Sequence, residues 1–162
     1  MGNRLKESKG FKLIVYTKNM SVFITIIFLA YVGLQLSSYK GSINNFFIDA
    51  PTNTVGFVVS LANMYIWYEL KSILEDIKLS KNIEAIRLKF LIMIVAELIL
   101  LNFVTLILLA LSLKKYFMWE KLSMANMFRD IKKECSNTSI LSLALTMSVC
   151  IILNFTILTA II

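Results

Sequence analysis

One acidic residue lies inside a long apolar run of the sequence. Residues 90–113 form a run of 24 residues without Gly, Pro, Lys or Arg, yet the run contains Glu97. An ionised carboxylate is costly in hydrocarbon, so Glu97 must be neutral or must face protein or a water-filled path. Two kinds of chemistry fit such a group. It could bind a proton or a cation, or it could form hydrogen bonds that hold helices together.

The neighbours of Glu97 can be predicted if the run is one continuous helix. Thr105 and Ser112 then fall on roughly the same face as Glu97, whereas Asn102 points elsewhere. Asn63 and Asn154 belong to other apolar segments and are the expected hydrogen-bond partners of the carboxyl group. We favour the hydrogen-bonding role, because a transport route normally needs several ionisable groups in the membrane.

A second set of polar residues follows a helical period near the C-terminus. Ser142, Thr146, Cys150 and Asn154 recur at every fourth position, which places small and polar side chains on one face of a helix. Such faces let helices approach closely in lipid and exchange hydrogen bonds. The stripe therefore predicts either packing within the chain or contact with another membrane protein or a second copy.

The sequence excludes several kinds of catalytic and metal chemistry. It contains no histidine, which removes His-ligated metals and haem, and the Ser-His-Asp and Cys-His pairs of hydrolases. No glycine-rich phosphate-binding loop is present. Cys135 and Cys150 would lie about 22 Å apart on one helix, too far to form a disulfide. We therefore predict a protein that is not an enzyme and has no catalytic residues, no metal and no cofactor.

Composition indicates which elements position these residues. The 162-residue chain is 58% apolar, and its mean hydropathy of +0.76 is too high for a soluble domain of this size. We predict an all-α, polytopic integral membrane protein in which residues 1–162 form a single membrane domain. The predicted spans cover residues 20–36, 54–70, 90–113 and 139–162.

The distribution of charge alone does not distinguish four crossings from three. With four crossings, the seven basic residues on one side are Lys40, Lys114, Lys115, Lys121, Arg129, Lys132 and Lys133, and the other ten of the 17 share the N-terminal side. If 54–70 does not cross, three spans result and the division is eleven against six. We favour four spans with the N-terminus in the cytoplasm, because Tyr65, Trp67 and Tyr68 resemble an interfacial aromatic belt.

The segment between the last two spans predicts an amphipathic helix over about residues 115–133. Met124, Met127, Phe128 and Ile131 follow helical spacing, and the basic residues fall mainly on other faces. Such a helix can lie in the headgroup layer against anionic lipid, or it can pack on the bundle. The candidate lipid-surface residues are Lys121, Arg129, Lys132 and Lys133.

The net charge of +7 is spread over several loops, which fits a membrane surface better than nucleic acid. In size, charge and number of spans, the chain resembles the small, basic, multi-span bacterial membrane proteins that accompany bacteriocins. That resemblance implies an immunity protein or an export accessory that acts in the cell membrane through helix–helix contacts. The alternatives are a self-assembling channel or carrier that uses Glu97, and a subunit of a transporter powered by a separate ATPase.

Overall fold

The computed structural model describes residues 9–79, 83–117 and 137–161 of the chain. Helices account for 93% of these described residues, and no strand occurs among them, so the all-α prediction is confirmed. The six helices are α1 Lys9–Ser38, α2 Ile43–Asp49, α3 Pro51–Lys78, α4 Ile83–Ile99, α5 Phe103–Phe117 and α6 Asn137–Ile161. The predicted amphipathic segment, with Lys121, Arg129, Lys132 and Lys133, lies outside the described residues apart from its first three positions, which end α5.

The apolar run over residues 90–113 is not one helix, and the prediction of a single span there is wrong. Helix α4 ends at Ile99 and α5 begins at Phe103. The backbone N–H of Leu101 donates to Leu98 O over 3.2 Å, and that of Asn102 donates to Glu97 O over 3.0 Å. These two bonds are those of a Schellman motif, which ends a helix at a left-handed residue.

The left-handed position of this motif is occupied by Leu101, whose φ is 57°. Glycine is the usual residue there, because a side chain in this conformation costs about 1–2 kcal/mol. Asn102 then precedes the first residue of α5, a position that asparagine favours strongly as an N-cap. The chain therefore turns sharply without a glycine or a proline.

Helices α4 and α5 form an antiparallel hairpin around this turn. The rings of Phe90 and Phe117 lie 5.5 Å apart, and Arg87 Nη2 donates to Phe117 O over 2.9 Å. The two ends of the apolar run are thus neighbours, and the chain enters and leaves the hairpin at the same end of the bundle. We call this the basal end; it holds the start of α1, α4 and α6 and the end of α3 and α5.

The long helices alternate in direction around α3. Helix α1 is antiparallel to α3, since Phe11 and Leu74 line one groove at the basal end, whereas Asn53 Nδ2 donates to Gln35 Oε1 over 2.8 Å at the opposite, distal end. Helix α6 is also antiparallel to α3, because Ser142 contacts Tyr65 and Cys150 packs against Ala62. Consequently α1 and α6 run towards the distal end, and α3 runs back.

Many apolar side chains are exposed on the outside of the bundle, and many polar side chains are buried inside it. Large apolar residues are exposed along α1, on the hairpin tip and on α6, among them Phe23, Phe103 and Phe155. The buried polar residues include Thr17, Ser21, Thr25, Asn53, Ser60, Asn63, Glu69, Lys89, Glu97, Thr105, Ser112 and Asn154. Exposed apolar surface of this extent marks a contact with lipid or protein rather than with water.

Two described helices are long and apolar enough to cross a membrane, namely Lys9–Ser38 and the Ile140–Thr159 part of α6. The prediction of four crossing helices is therefore not supported. Its physical weakness lies in residues 90–113, where hydropathy cannot distinguish one helix of 24 residues from two shorter helices that fold back.

Two glycines of α1 provide a matched test of the contact between α1 and α5. A Cβ atom at Gly10 would lie 2.8 Å from Tyr116 Cα and 3.0 Å from Lys115 O, whereas one at Gly33 would meet nothing within 4 Å. We expect Gly10→Ala to force the helices apart and to destabilise the fold by about 1–3 kcal/mol. Gly33→Ala should be neutral or stabilising by up to about 1 kcal/mol. Thermal unfolding of the purified protein in detergent measures both, and equal shifts would contradict the close contact.

Candidate functional site

A group of polar side chains surrounds the tip of the α4–α5 hairpin, and we call it the tip cluster: Asn63, Glu97, Asn102 and Thr105. Thr105 Oγ1 donates to Asn63 Oδ1 over 2.8 Å. Asn102 Nδ2 lies 3.1 Å from Asn63 Oδ1 and 3.1 Å from Thr105 Oγ1. Because Asn63 lies near the middle of the 28-residue α3, the hairpin tip is held at about half the depth of the bundle.

Glu97 is the one acidic member of the tip cluster, and it is fully buried, with 0% exposure. Neither of its carboxyl oxygens has a hydrogen-bond partner among the described residues. The Asn102 side chain interacts with the carboxyl group without reaching hydrogen-bond geometry, and the Cys150 thiol of α6 lies near enough for a Coulomb interaction. The site therefore contains a buried acid with unused acceptor capacity.

The hydrogen bonds expected for Glu97 are not those found. Asn63 was expected to bond to the carboxyl group, but its Oδ1 accepts from Thr105 and Asn102 instead, and its Nδ2 is unpaired among the described residues. Asn154, the other expected partner, has an Oδ1 that is buried and likewise unpaired there. Asn102, expected to point away, joins the cluster because the helix ends before it.

Glu97, Thr105 and Ser112 were expected to share one face of a continuous helix. The turn separates them, because Glu97 lies on α4 and the other two lie on α5. Thr105 stays near the tip, whereas Ser112 lies along α5 and its hydroxyl is 3.0 Å from that of Thr17 on α1. Thr17, Ser21 and Thr25 form a buried row at every fourth position of α1. The same spacing rule that identified the stripe on α6 could have found this row, although not its partner helix.

The predicted stripe on α6 faces two environments. Cys150 and Asn154 are buried, whereas Ser142 is exposed and Thr146 is half-buried. Ser142 Oγ lies 2.9 Å from Tyr65 Oη, so the exposed end of the stripe contacts α3 at its edge. Asn154 also lines an open cavity of about 250 Å³ beside the hairpin tip, together with Ile99, Ile151, Ile152, Phe155, Thr156 and Leu158.

A buried ion pair joins α3 to α4 on the basal side of the tip. Lys89 Nζ lies 3.2 Å from Glu69 Oε2, and the two side chains are only 3% and 4% exposed. The two residues are 20 positions apart, so no local pattern in the sequence links them. The two charges compensate each other, so Glu97 is the buried acid without a basic partner among the described residues.

Removing one member of this ion pair is expected to be far more harmful than removing both. Lys89→Met leaves the Glu69 carboxylate buried and unpaired, which costs about 3–5 kcal/mol. The double variant Glu69→Leu/Lys89→Met should recover most of that loss, since no charge remains to be desolvated. Unfolding in detergent measures the difference, with the exposed Lys71→Met as control. A double variant as unstable as Lys89→Met would show that the loss does not come from an unpaired buried charge.

The arrangement at the tip can bind a small positive species. Among residues 9–79, 83–117 and 137–161, no group of three or more His, Cys, Asp or Glu could hold a metal ion. One carboxylate with neutral amide and hydroxyl neighbours carries a single negative charge, which a proton or a monovalent cation neutralises.

These features define an all-α protein that has two helices able to cross a membrane and a buried acid at the tip of a helical hairpin. No family model, curated protein or solved structure matches the chain.

Proposed function

We propose that the chain is a multi-pass protein of the cell membrane in which α1, α3 and α6 cross the bilayer and the α4–α5 hairpin enters it from the basal end. The three helices proposed to cross contain 30, 28 and 25 residues, or about 45, 42 and 37 Å, which exceeds a ~30 Å hydrocarbon core. Helix α3 is less apolar than α1 and α6, but several of its polar residues, among them Asn63 and Glu69, are buried inside the bundle rather than exposed to lipid. The hairpin arms contain 17 and 15 residues, or about 25 and 22 Å, and fall short of it.

The basic residues support this arrangement. Nine of the ten Lys and Arg residues in the described parts of the chain belong to the basal half of the bundle, and Lys40 is the exception. This division of nine against one among the described residues favours a basal end, and with it an N-terminus, in the cytoplasm.

The function that the geometry favours is reversible binding of a proton or a small monovalent cation at Glu97, in a small carrier or channel. The observation that carries this proposal is the full burial of Glu97, whose two carboxyl oxygens have no hydrogen-bond partner in the part of the chain that the structure describes. An uncompensated charge at half the depth of a bilayer is costly, so the carboxyl group must take up a positive species. A purely structural carboxyl group would be hydrogen-bonded to its neighbours.

Broken helices that meet near the bilayer midplane are a recurrent way to build ion sites in transporters. The hairpin has that character, because the end of α4 and the start of α5 both lie at the tip cluster.

The decisive measurement is ion movement into liposomes that contain the purified protein, with a pH-sensitive dye for protons and a sodium-sensitive dye for Na⁺. Loss of movement in Glu97→Gln would support the proposal.

A second candidate function is the accessory or immunity role suggested by the bacteriocin-associated proteins. One observation favours it: Ala30, Gly33 and Ser37 are exposed on one face of α1, and no atom lies within 4 Å of a Cβ built at Gly33. Small residues on a lipid-facing helix allow another helix to approach closely. Co-purification of a stoichiometric membrane protein, lost in Gly33→Leu, would support this role, and recovery of the chain alone would contradict it.

A further inference from the structure

An open groove of about 430 Å³ lies between α1 and α3 at the basal end. Its lining residues are Phe11, Lys12, Val15, Lys18, Leu74 and Lys78. Lys12 and Lys78 are exposed and Lys18 is half-buried, whereas Phe11 and Leu74 are buried. The groove thus combines three ammonium groups with an apolar floor.

The lining determines what kind of ligand can occupy the groove. Within the described part of the chain it includes three lysines and no acidic side chain, so its charge is complementary to an anion. An apolar floor formed by Phe11, Val15 and Leu74 gives no advantage to a free inorganic anion, but it matches the glycerol and acyl region of a lipid. Lysine side chains can bury their carbon stems along such a floor while their ammonium groups reach a headgroup.

We infer that this groove is a binding site for one anionic phospholipid of the cytoplasmic leaflet. Lys12, Lys18 and Lys78 bind its phosphate, and Phe11, Val15 and Leu74 pack against its glycerol and acyl region. The inference rests on the proposed orientation, in which the basal end faces the leaflet that holds anionic lipid. A lipid held there contacts both α1 and α3, because the groove is lined by residues of both helices. It is separate from the tip cluster, which lies about 22 Å further along α3.

The test compares phosphatidylglycerol with phosphatidylcholine as ligands of the purified, full-length protein. Native mass spectrometry from detergent counts bound lipid, and thermal unfolding measures the stabilisation by each lipid. We expect preferential retention of phosphatidylglycerol by the wild type. The triple variant Lys12→Gln/Lys18→Gln/Lys78→Gln should bind it about tenfold more weakly or worse, since each lysine near an anionic surface contributes to binding.

A matched control variant removes the same number of charges from the basal end, but at lysines outside the groove. Lys71→Gln/Lys114→Gln/Lys115→Gln removes three exposed basal lysines that do not line it. Equal weakening by the two triple variants, or equal binding of the two lipids by the wild type, would overturn the site. Flotation of the wild type with phosphatidylcholine vesicles is measured separately. A protein that floats without lipid preference refutes the site alone, whereas one that does not insert refutes the membrane proposal and the site with it.

Discussion

Glu97→Gln is expected to reduce ion movement by the protein in liposomes more than about tenfold, while the protein remains folded. Glutamine has nearly the volume of a neutral glutamic acid but cannot release or bind a proton at neutral pH and carries no charge for a cation. No described residue reaches hydrogen-bond geometry with the Glu97 carboxyl oxygens, and the glutamine side-chain oxygen can keep the interaction with Asn102, so the substitution should leave the packing at the tip unchanged. Unfolding temperature and detergent chromatography should therefore match those of the wild type.

Two further variants separate an ion site from a structural carboxyl group. Glu97→Ala should lose ion movement equally and should also be destabilised by about 2–3 kcal/mol, because it leaves a cavity between α4, α3 and α6. Glu75→Gln removes an exposed acid on α3 and should change neither property. Full activity in Glu97→Gln, combined with loss in Glu97→Ala, would show that the residue only packs and bonds, and the ion-site proposal would fail.

Reporters fused at Asn82 and at Asn126 are expected to lie on the same, cytoplasmic side of the membrane. The hairpin returns the chain to the end from which it entered, so the segments before α4 and after α5 share a side. A reporter at Gly41, between α1 and α2, should lie on the opposite side. Four crossing helices predict the reverse for Asn126, so the outcome is all-or-none rather than graded.

Cysteine labelling gives an independent form of the same measurement. In a Cys135→Ser/Cys150→Ala background, single cysteines at the three positions are treated with a membrane-impermeant maleimide in intact cells. We expect labelling at position 41 alone, and labelling at positions 82 and 126 only after lysis. Labelling at position 126 in intact cells would refute the re-entrant hairpin and the orientation proposed from the basic residues.

Several properties of this protein follow from its sequence because they depend on local chemistry. High apolar content and helical spacing predict an all-α fold, which the structure confirms. The apolar runs near the two ends of the chain lie within α1 and α6, the two helices long and apolar enough to cross a membrane. Glu97 is recognisable as unusual from its neighbours alone, since a carboxyl group in an apolar run is rare.

The turn at the hairpin tip could be predicted only in part. Asn102 is a strong N-cap residue, which is a local signal for the start of a helix. Leu101, however, gives no sign that it adopts a left-handed conformation, and that conformation is unfavourable for leucine in isolation. It is adopted because tertiary contacts compensate for it, including the bonds of Asn102 and Thr105 to Asn63 on another helix.

By itself, the sequence determined the helical class, the apolar segments and the identity of the acid that lies inside an apolar run. Only the tertiary structure decided that 90–113 folds back, that Glu69 pairs with Lys89, and that Asn63 bonds to Asn102 rather than to Glu97. Helix formation and hydropathy depend on residues within a few positions, whereas these pairings join residues 20 to 39 positions apart. Such pairs form only when packing brings two helices together, and packing depends on all of the helices at once.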